Sequence, residues 1–229
     1  MAAGCVPIDV NSETLVADPT GAAYWPAQDM LLVADLHFEK GSAFAAKGQM
    51  LPPYDTRATL RSLEVAISRH APGIVVALGD SFHDGEAGER ISATDMTAIS
   101  ALTDVRRWIW LTGNHDEVLP QGIGGEIAVE LSVGALNLRH EPQAGAVPGE
   151  IAGHLHPSAI VRTRSRNLRR RCFASDGRRL ILPAFGAFTG GLDISDEAFA
   201  GLFDVAPTAW VLGRDQVYEI PPARIAGVA

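Results

Sequence analysis

The sequence predicts a single α/β domain, and three observations predict it. The chain has 229 residues, 47% hydrophobic and 20% charged, which is enough apolar material for one large core. In the first half, apolar β-branched runs alternate with helix-period stretches, the rhythm of a layered α/β sheet. In the second half the rhythm changes to short runs and tight turns, as in antiparallel hairpins.

The elements follow in order. The opening "ETLVADPTGAAYWPAQDMLLVADLH" reads as two strands around a Pro-Thr-Gly turn and a third strand ending at Asp35 and His37. "FEKGSAFAAKGQMLPPYD" reads as irregular. From Thr56 to His70, Leu60, Leu63, Val65 and Ile67 recur among charges, predicting an amphipathic helix with Asp55 as N-cap and "HAPG" as its stop. His70 then sits where a helix C-terminal dipole favours an imidazolium. "GIVVALGD" is continuously apolar, as expected of a strand buried on both faces, and a second helix is expected from Ser92 to Asp104. After "WIWLTGNHD" the half is predicted mostly antiparallel, with hairpins at Ser132-Val133-Gly134, Ser175-Asp176-Gly177 and Gly213-Arg214-Asp215. No repeat or linker divides the chain. The glycines of "FTGGLD" and "IGGE" lack the context of a phosphate loop and read as turns.

Apolar runs stop at about eight residues, and the first thirty lack a charged n-region with an apolar stretch. A membrane partner and a signal peptide are therefore not expected, and the expected location is the cytoplasm. Cys5 and Cys172, unpaired by any CxxC spacing, read as free thiols.

Six of the seven histidines fall in five short motifs: Asp35-Leu36-His37, Gly79-Asp80 with His83, Gly113-Asn114-His115-Asp116, Arg139-His140, and Gly153-His154-Leu155-His156. All but the His140 motif follow an apolar run, so their polar groups are expected just past the carboxyl ends of strands. In extended backbone, residues i and i+2 share a side, which would aim Asp35 with His37, and His154 with His156, at one point. Carboxylate and amide oxygens mixed with imidazoles, without thiolate, suit Mn²⁺ first, with Fe or Zn²⁺ as alternatives. Two divalent ions about 3.5 to 4 Å apart need a bridging carboxylate and acidify a bridging water into a nucleophile for phosphorus. Asp80 is the natural bridge. His115 is placed to protonate the leaving oxygen and Asp116 to orient it.

The ordered set "DLH", "GD", "GNHD", "RHEP" and "GHLHP", spanning residues 35 to 156, resembles the calcineurin-like metallophosphoesterase superfamily. The resemblance implies Asp35, His37, Asp80 and His156 at one metal, and Asp80, Asn114, His140 and His154 at the other. It also implies His115 as the catalytic histidine, and a four-layer αββα sandwich of two mixed β-sheets flanked by helices. An acidic residue often stands in the superfamily where this chain has His83, which leaves its role open between a substrate or ligand-orienting contact and a plain loop residue. The wider wording, "LLVADLHFEKGSAFA", "LPPYDTRATL", "ALGDSFHDGE", "AGHLHP" and "LPAFGAFTGGL", is similar to the ligase-associated DNA damage response endonucleases, or PdeM-type phosphoesterases. That similarity implies a manganese-dependent DNA endonuclease in repair, associated with a DNA ligase, a helicase and an exonuclease.

The chain is -8 overall, but residues 162 to 179 carry eight basic residues and one acid, leaving -15 elsewhere. Arg162, Arg164 and Arg166 would share a strand face, with Arg169, Arg170 and Arg171 in the connecting turn. Such a cluster reads as a phosphate-backbone track for DNA; the alternative is a solvated edge hairpin. Phe185 and Phe188 in "AFGAFTGG" read as loop packing, with stacking on unpaired bases as the alternative. Two rival functions stay open at this point: a phosphatase or pyrophosphatase acting on a small molecule or nucleotide, and a non-catalytic nucleic-acid-binding scaffold. Free strand edges in the second half also leave room for a homo-oligomer.

Overall fold

In a computed structural model of the protein, residues 2–162 and 167–228 are described. The elements run β1 (Val6–Val10), β2 (Glu13–Ala17), β3 (Ala23–Trp25), β4 (Met30–Val33), α1 (Lys40–Ala46), α2 (Asp55–His70), β5 (Ile74–Leu78), α3 (Ala87–Arg90), α4 (Ala93–Thr103), β6 (Arg107–Leu111) and β7 (Glu126–Ala128). The second half supplies β8 (Glu130–Val133), β9 (Leu136–Arg139), β10 (Glu150–Ala152), β11 (Ser158–Arg162), β12 (Asn167–Ser175), β13 (Leu180–Ile181), β14 (Thr208–Leu212) and β15 (Val217–Ile220).

Two mixed sheets result, as expected. The first has the order β1-β2-β3-β4-β5-β6-β7 and the second β15-β14-β12-β13-β10-β9-β8, with β11 on β12. Strands β4, β5, β6 and β7 are parallel, so the three ligand-bearing motifs of the first half, which follow β4, β5 and β6, leave the sheet on one side. The three hairpins form at the expected turns. The second sheet is less antiparallel than the turn pattern suggested, because β10 runs parallel to both β9 and β13. That arrangement brings the carboxyl ends of β9 and β10, and hence His140 and His154, to the same rim.

The sheets face each other across one core that includes Leu15, Trp25, Leu32, Val76, Leu138, Phe173 and Leu180. Helices α2 and α4 cover the outer face of the first sheet through Leu60, Leu63, Ile67 and Ile99. The fourth layer is thinner than the resemblance implied. Among the described residues, the outer face of the second sheet is covered by Ile194, Phe199, Leu202 and Ile225, from loops and two 3-10 turns at Glu197–Phe199 and Pro222–Arg224, not by an α-helix.

Helix α2 begins at Asp55, one residue earlier than read, and Asp55 is not its cap. Its carboxylate instead accepts the Gly41 N–H at 2.9 Å, fastening α1, an element concealed in the segment read as irregular. The expected helix after Ser92 is α4, with the Ser92 hydroxyl accepting from Asp95 N–H at its start. Strand β1 was also unread. His70 ends α2 and bonds Asp18 at 2.8 Å beside Arg69, a structural role. Cys5 and Cys172 are buried free thiols. No helix of the described residues is long and apolar enough to cross a membrane.

Candidate metal centre

The strand ends converge as expected, but by a different backbone device. Asp35, His37, Asp80, His154 and His156 all have positive φ, from 44° to 66°. The paired donors therefore converge through left-handed kinks and not through extended i, i+2 alternation. Non-glycine residues in this region carry strain of about 1 kcal/mol or more apiece, held here by hydrogen bonds between the loops. Asp35 N–H donates to Gly79 O, His37 N–H to Asp80 O and Gly153 N–H to His140 O. Asp35 accepts the His154 N–H on both oxygens, at 3.2 and 3.0 Å, and Asp80 accepts the His115 N–H at 2.9 Å.

Three donor groups emerge at this rim, one of them the imidazoles of His37, His83 and His115, and the other two carry carboxylates. Asp35, His37 and His156 bring ligand atoms within 4.8 Å of one another, and so do Asp80, His140 and His154. His37 Nε2 stands 3.4 Å from His156 Nε2, which is 3.3 Å from Asp35. In the second group, His140 Nε2 lies 3.3 Å from Asp80, 2.9 Å from the Asn114 amide oxygen and 3.2 Å from His154 Nδ1. Two glycines make these approaches possible. A Cβ at Gly79 would overlap the His140 ring, and one at Gly113 would overlap the Asp80 carboxylate.

The chemistry of this donor set fits divalent cations. His140 donates Nδ1–H to the Leu78 carbonyl at 3.0 Å, which turns its Nε2 toward an amide oxygen, a carboxylate and another imidazole. So many lone pairs facing one point require a cation or protons between them. Protons alone show the tension: burial opposes charge on His140, yet the hydrogen bond and charge of Asp80, with Asp35, lift it to about 9. Burial works against charge on Asp80 too, but its bond to His140 prevails and holds it down to about 2. Burial, aided by the charge of His156, pushes His37 down to about 2, leaving a neutral imidazole suited to ligation. The His37 Nδ1 atom is buried with no hydrogen-bond partner among the described residues.

His115 stands at the mouth, its side chain 41% exposed, with Nε2 3.9 Å from Asp80. Its Nδ1–H donates to the backbone carbonyl of His83 at 2.7 Å, and the two rings stack with centroids 5.4 Å apart. The His83 residue thus aims His115, and burial, with the charge of Lys40, pushes the His83 imidazole down to about 4. Asp116 has a different task from the one read in the sequence. It does not touch the His115 ring but accepts four backbone N–H groups, from Asp80, Ser81, Phe82 and Gly113, at 2.6 to 3.1 Å. It braces the loops after β5 and β6 against each other. Burial pushes its carboxyl up to about 6 against those donors.

The arginine cluster divides. Arg169, Arg170 and Arg171 lie within β12, not in a turn. Arg169 donates to the Ser158 hydroxyl at 2.9 Å and to Gly191 O, and Arg171 donates to Ala184 O at 2.7 Å. Arg170 is exposed and bonds the Arg169 carbonyl. Arg162 ends β11, while Arg164 and Arg166 fall outside the described residues. Further along the basic segment, Arg178 pairs with Asp204 and Arg179 is buried against Glu150 at 2.8 Å. Sequence reading overlooked two cations beside the site, Lys40 at the start of α1 and Lys47 at its C-cap, whose charges bear on His83. Their segment looked irregular, although the Phe-Ala-Ala spacing before Lys47 offered a weak helical signal.

No family model and no curated protein matches the chain. Among solved structures, the Pseudomonas putida nuclease MPE is 27% identical, with a TM-score of 0.73 over 94% of this chain and 100% of that one. YfcE, a phosphoesterase from E. coli, is 14% identical with a TM-score of 0.42, over 83% of this chain and 97% of that one. The two mixed sheets, the donors gathered at one rim and the end-to-end likeness to the Pseudomonas putida nuclease support a metallophosphoesterase relationship for this chain.

Proposed function

We propose that the chain is a dinuclear-metal phosphodiesterase that cleaves DNA. One observation carries the reading: two groups of carboxylate and imidazole donors, Asp35 with His37 and His156 and Asp80 with His140 and His154, gather at one rim, with a half-exposed imidazole 3.9 Å from Asp80. The likeness to a nuclease supports nucleic acid as substrate, and the PdeM-type wording supports a place in DNA repair beside a ligase, a helicase and an exonuclease.

Asp35, His37, Asp80 and His156 would hold one ion, and Asp80, Asn114, His140 and His154 the other; oxygen and imidazole donors without thiolate favour Mn²⁺. Bound there, the two cations neutralise phosphate charge and lower the pKa of water. The chain's own groups do the rest. Because His83 O takes the Nδ1–H of His115, the other nitrogen of that ring faces the centre, where an imidazolium, with both nitrogens protonated, would give its second N–H proton to a departing alkoxide oxygen. The His115 N–H fixes Asp80 from the same loop, so the acid and the bridging carboxylate keep one spacing. Asp116 holds that spacing from beneath.

Metal-stripped protein, restored with Mn²⁺, is tested on single-stranded, nicked and supercoiled DNA beside a small chromogenic phosphodiester. Metal-dependent cutting of DNA that His115→Ala removes is expected. Turnover of the small ester alone would move the assignment to a small-molecule phosphoesterase.

A further inference from the structure

The loop from Gly186 to Gly191 is tied at both ends to the metal centre. Gly186 N–H donates to Asp35 O at 3.1 Å, and Gly191 lies against His156 O. In its middle, Ala187 N–H donates to the Thr59 hydroxyl at 3.0 Å, which docks the loop on the first turns of α2. Between these anchors Phe188 takes φ 57°, a region bulky residues avoid, and its ring is 44% exposed. Its neighbour across the gap is Tyr54, 56% exposed, with ring centroids 5.9 Å apart at 59°. The other aromatic of this stretch, Phe185, is buried in the core. Strain that holds a large ring out in solvent, at the rim of a reactive centre, is not explained by packing.

Tyr54 also lines a cavity of about 470 Å³ with Met50, Leu51 and Pro53, in which Arg57 is paired with Asp95 at 3.2 Å. Along the same flank, half-buried Lys40 opens α1 near His83 and exposed Lys47 caps its end. An aromatic ledge beside cations, next to a centre that handles phosphate, has the composition of a site for a polyanion carrying flat bases. Aromatic faces stack on bases of any sequence, while cations follow the backbone.

We propose that Phe188 and Tyr54 form a stacking ledge for one unpaired nucleobase adjoining the phosphate that is cut, an inference that rests on the nuclease reading above. The ledge makes the enzyme sensitive to whether that base is present and free to leave a duplex, and it does not touch the bond being broken.

Single abasic sites are walked through a short single-stranded oligonucleotide, and kcat/KM is measured with the Mn²⁺-loaded enzyme. At one position beside the cut, base removal is expected to cost the wild type about tenfold, the usual scale of one stacked base. In Phe188→Leu and Tyr54→Leu, which keep apolar bulk without a π face, that penalty should vanish, and Phe188→Tyr should restore it. A penalty that persists undiminished in both leucine variants, or a wild type indifferent to every abasic site, overturns the ledge alone. A wild type that hydrolyses the small ester but no oligonucleotide overturns the nuclease reading, and the ledge with it.

Discussion

The loops of the metal centre and the hairpin of β11 and β12 handle charge in opposite ways. In the loops, Asp35, His37, Asp80 and His140 are buried, their lone pairs are turned toward one another, and the balancing charge must come from outside the chain. On the hairpin the guanidiniums of Arg169 and Arg171 are bound by the chain's own oxygens. Formal charge in a segment is therefore no measure of charge left to bind a ligand. The acidic loops are short of partners, whereas Arg169 and Arg171 are already engaged.

Breaking the loop side should give the largest effects. Asp80→Asn removes the carboxylate proposed to bridge the two ions and should reduce phosphodiester hydrolysis by about 10³-fold or more, since metal charge stabilisation is worth several kcal/mol. Elemental analysis should show lost Mn²⁺ alongside it. His115→Ala should cost about 10² to 10⁴ in kcat, the range of general acid catalysis, with metal content unchanged; full activity would remove His115 from the mechanism. Asp116→Asn replaces an acceptor of four N–H groups with a side chain that is half donor. A stability loss of about 2 kcal/mol in denaturant unfolding is expected, in the range for unsatisfied buried groups, with reduced activity through misplaced Asp80. Unaltered stability would mean that the brace is dispensable.

The hairpin side sharpens the contrast with smaller effects. Arg171→Ala should destabilise by about 1 to 3 kcal/mol by orphaning the Ala184 carbonyl, whereas exposed Arg170→Ala should stay within about 0.5 kcal/mol. If Arg170 meets a phosphate, its loss lowers the salt slope of DNA binding by about one unit. The reverse pattern, stability lost at Arg170 and binding lost at Arg171, would contradict the division drawn between these neighbours.

The same contrast shows what a sequence can convey. The ligand motifs were legible because each is a polar cluster ending an apolar run, and parallel strands of one sheet must end on one side. The handedness of the kinks was not, since any non-glycine residue seldom enters the left-handed region, even the aspartates and histidines that do so more than most, and hydrogen bonds from distant loops hold them there. Asp116 was misread for a related reason: adjacency to His115 suggested a side-chain pair, while its four N–H partners include three from residues 80 to 82. Helix α1 was missed because its seven residues rest on the remote contact of Gly41 with Asp55, not on periodicity. Arginine spacing gave no hint that carbonyls would claim Arg169 and Arg171.

Mn²⁺ titration into metal-stripped protein, with bound metal and hydrolysis of a phosphodiester followed together, tests the convergence of the loops most directly. Two ions per chain, with activity rising as the second site fills, is the expected result. Hydrolysis that proceeds equally without metal, or a chain that binds no Mn²⁺, would contradict a dinuclear centre built on Asp80.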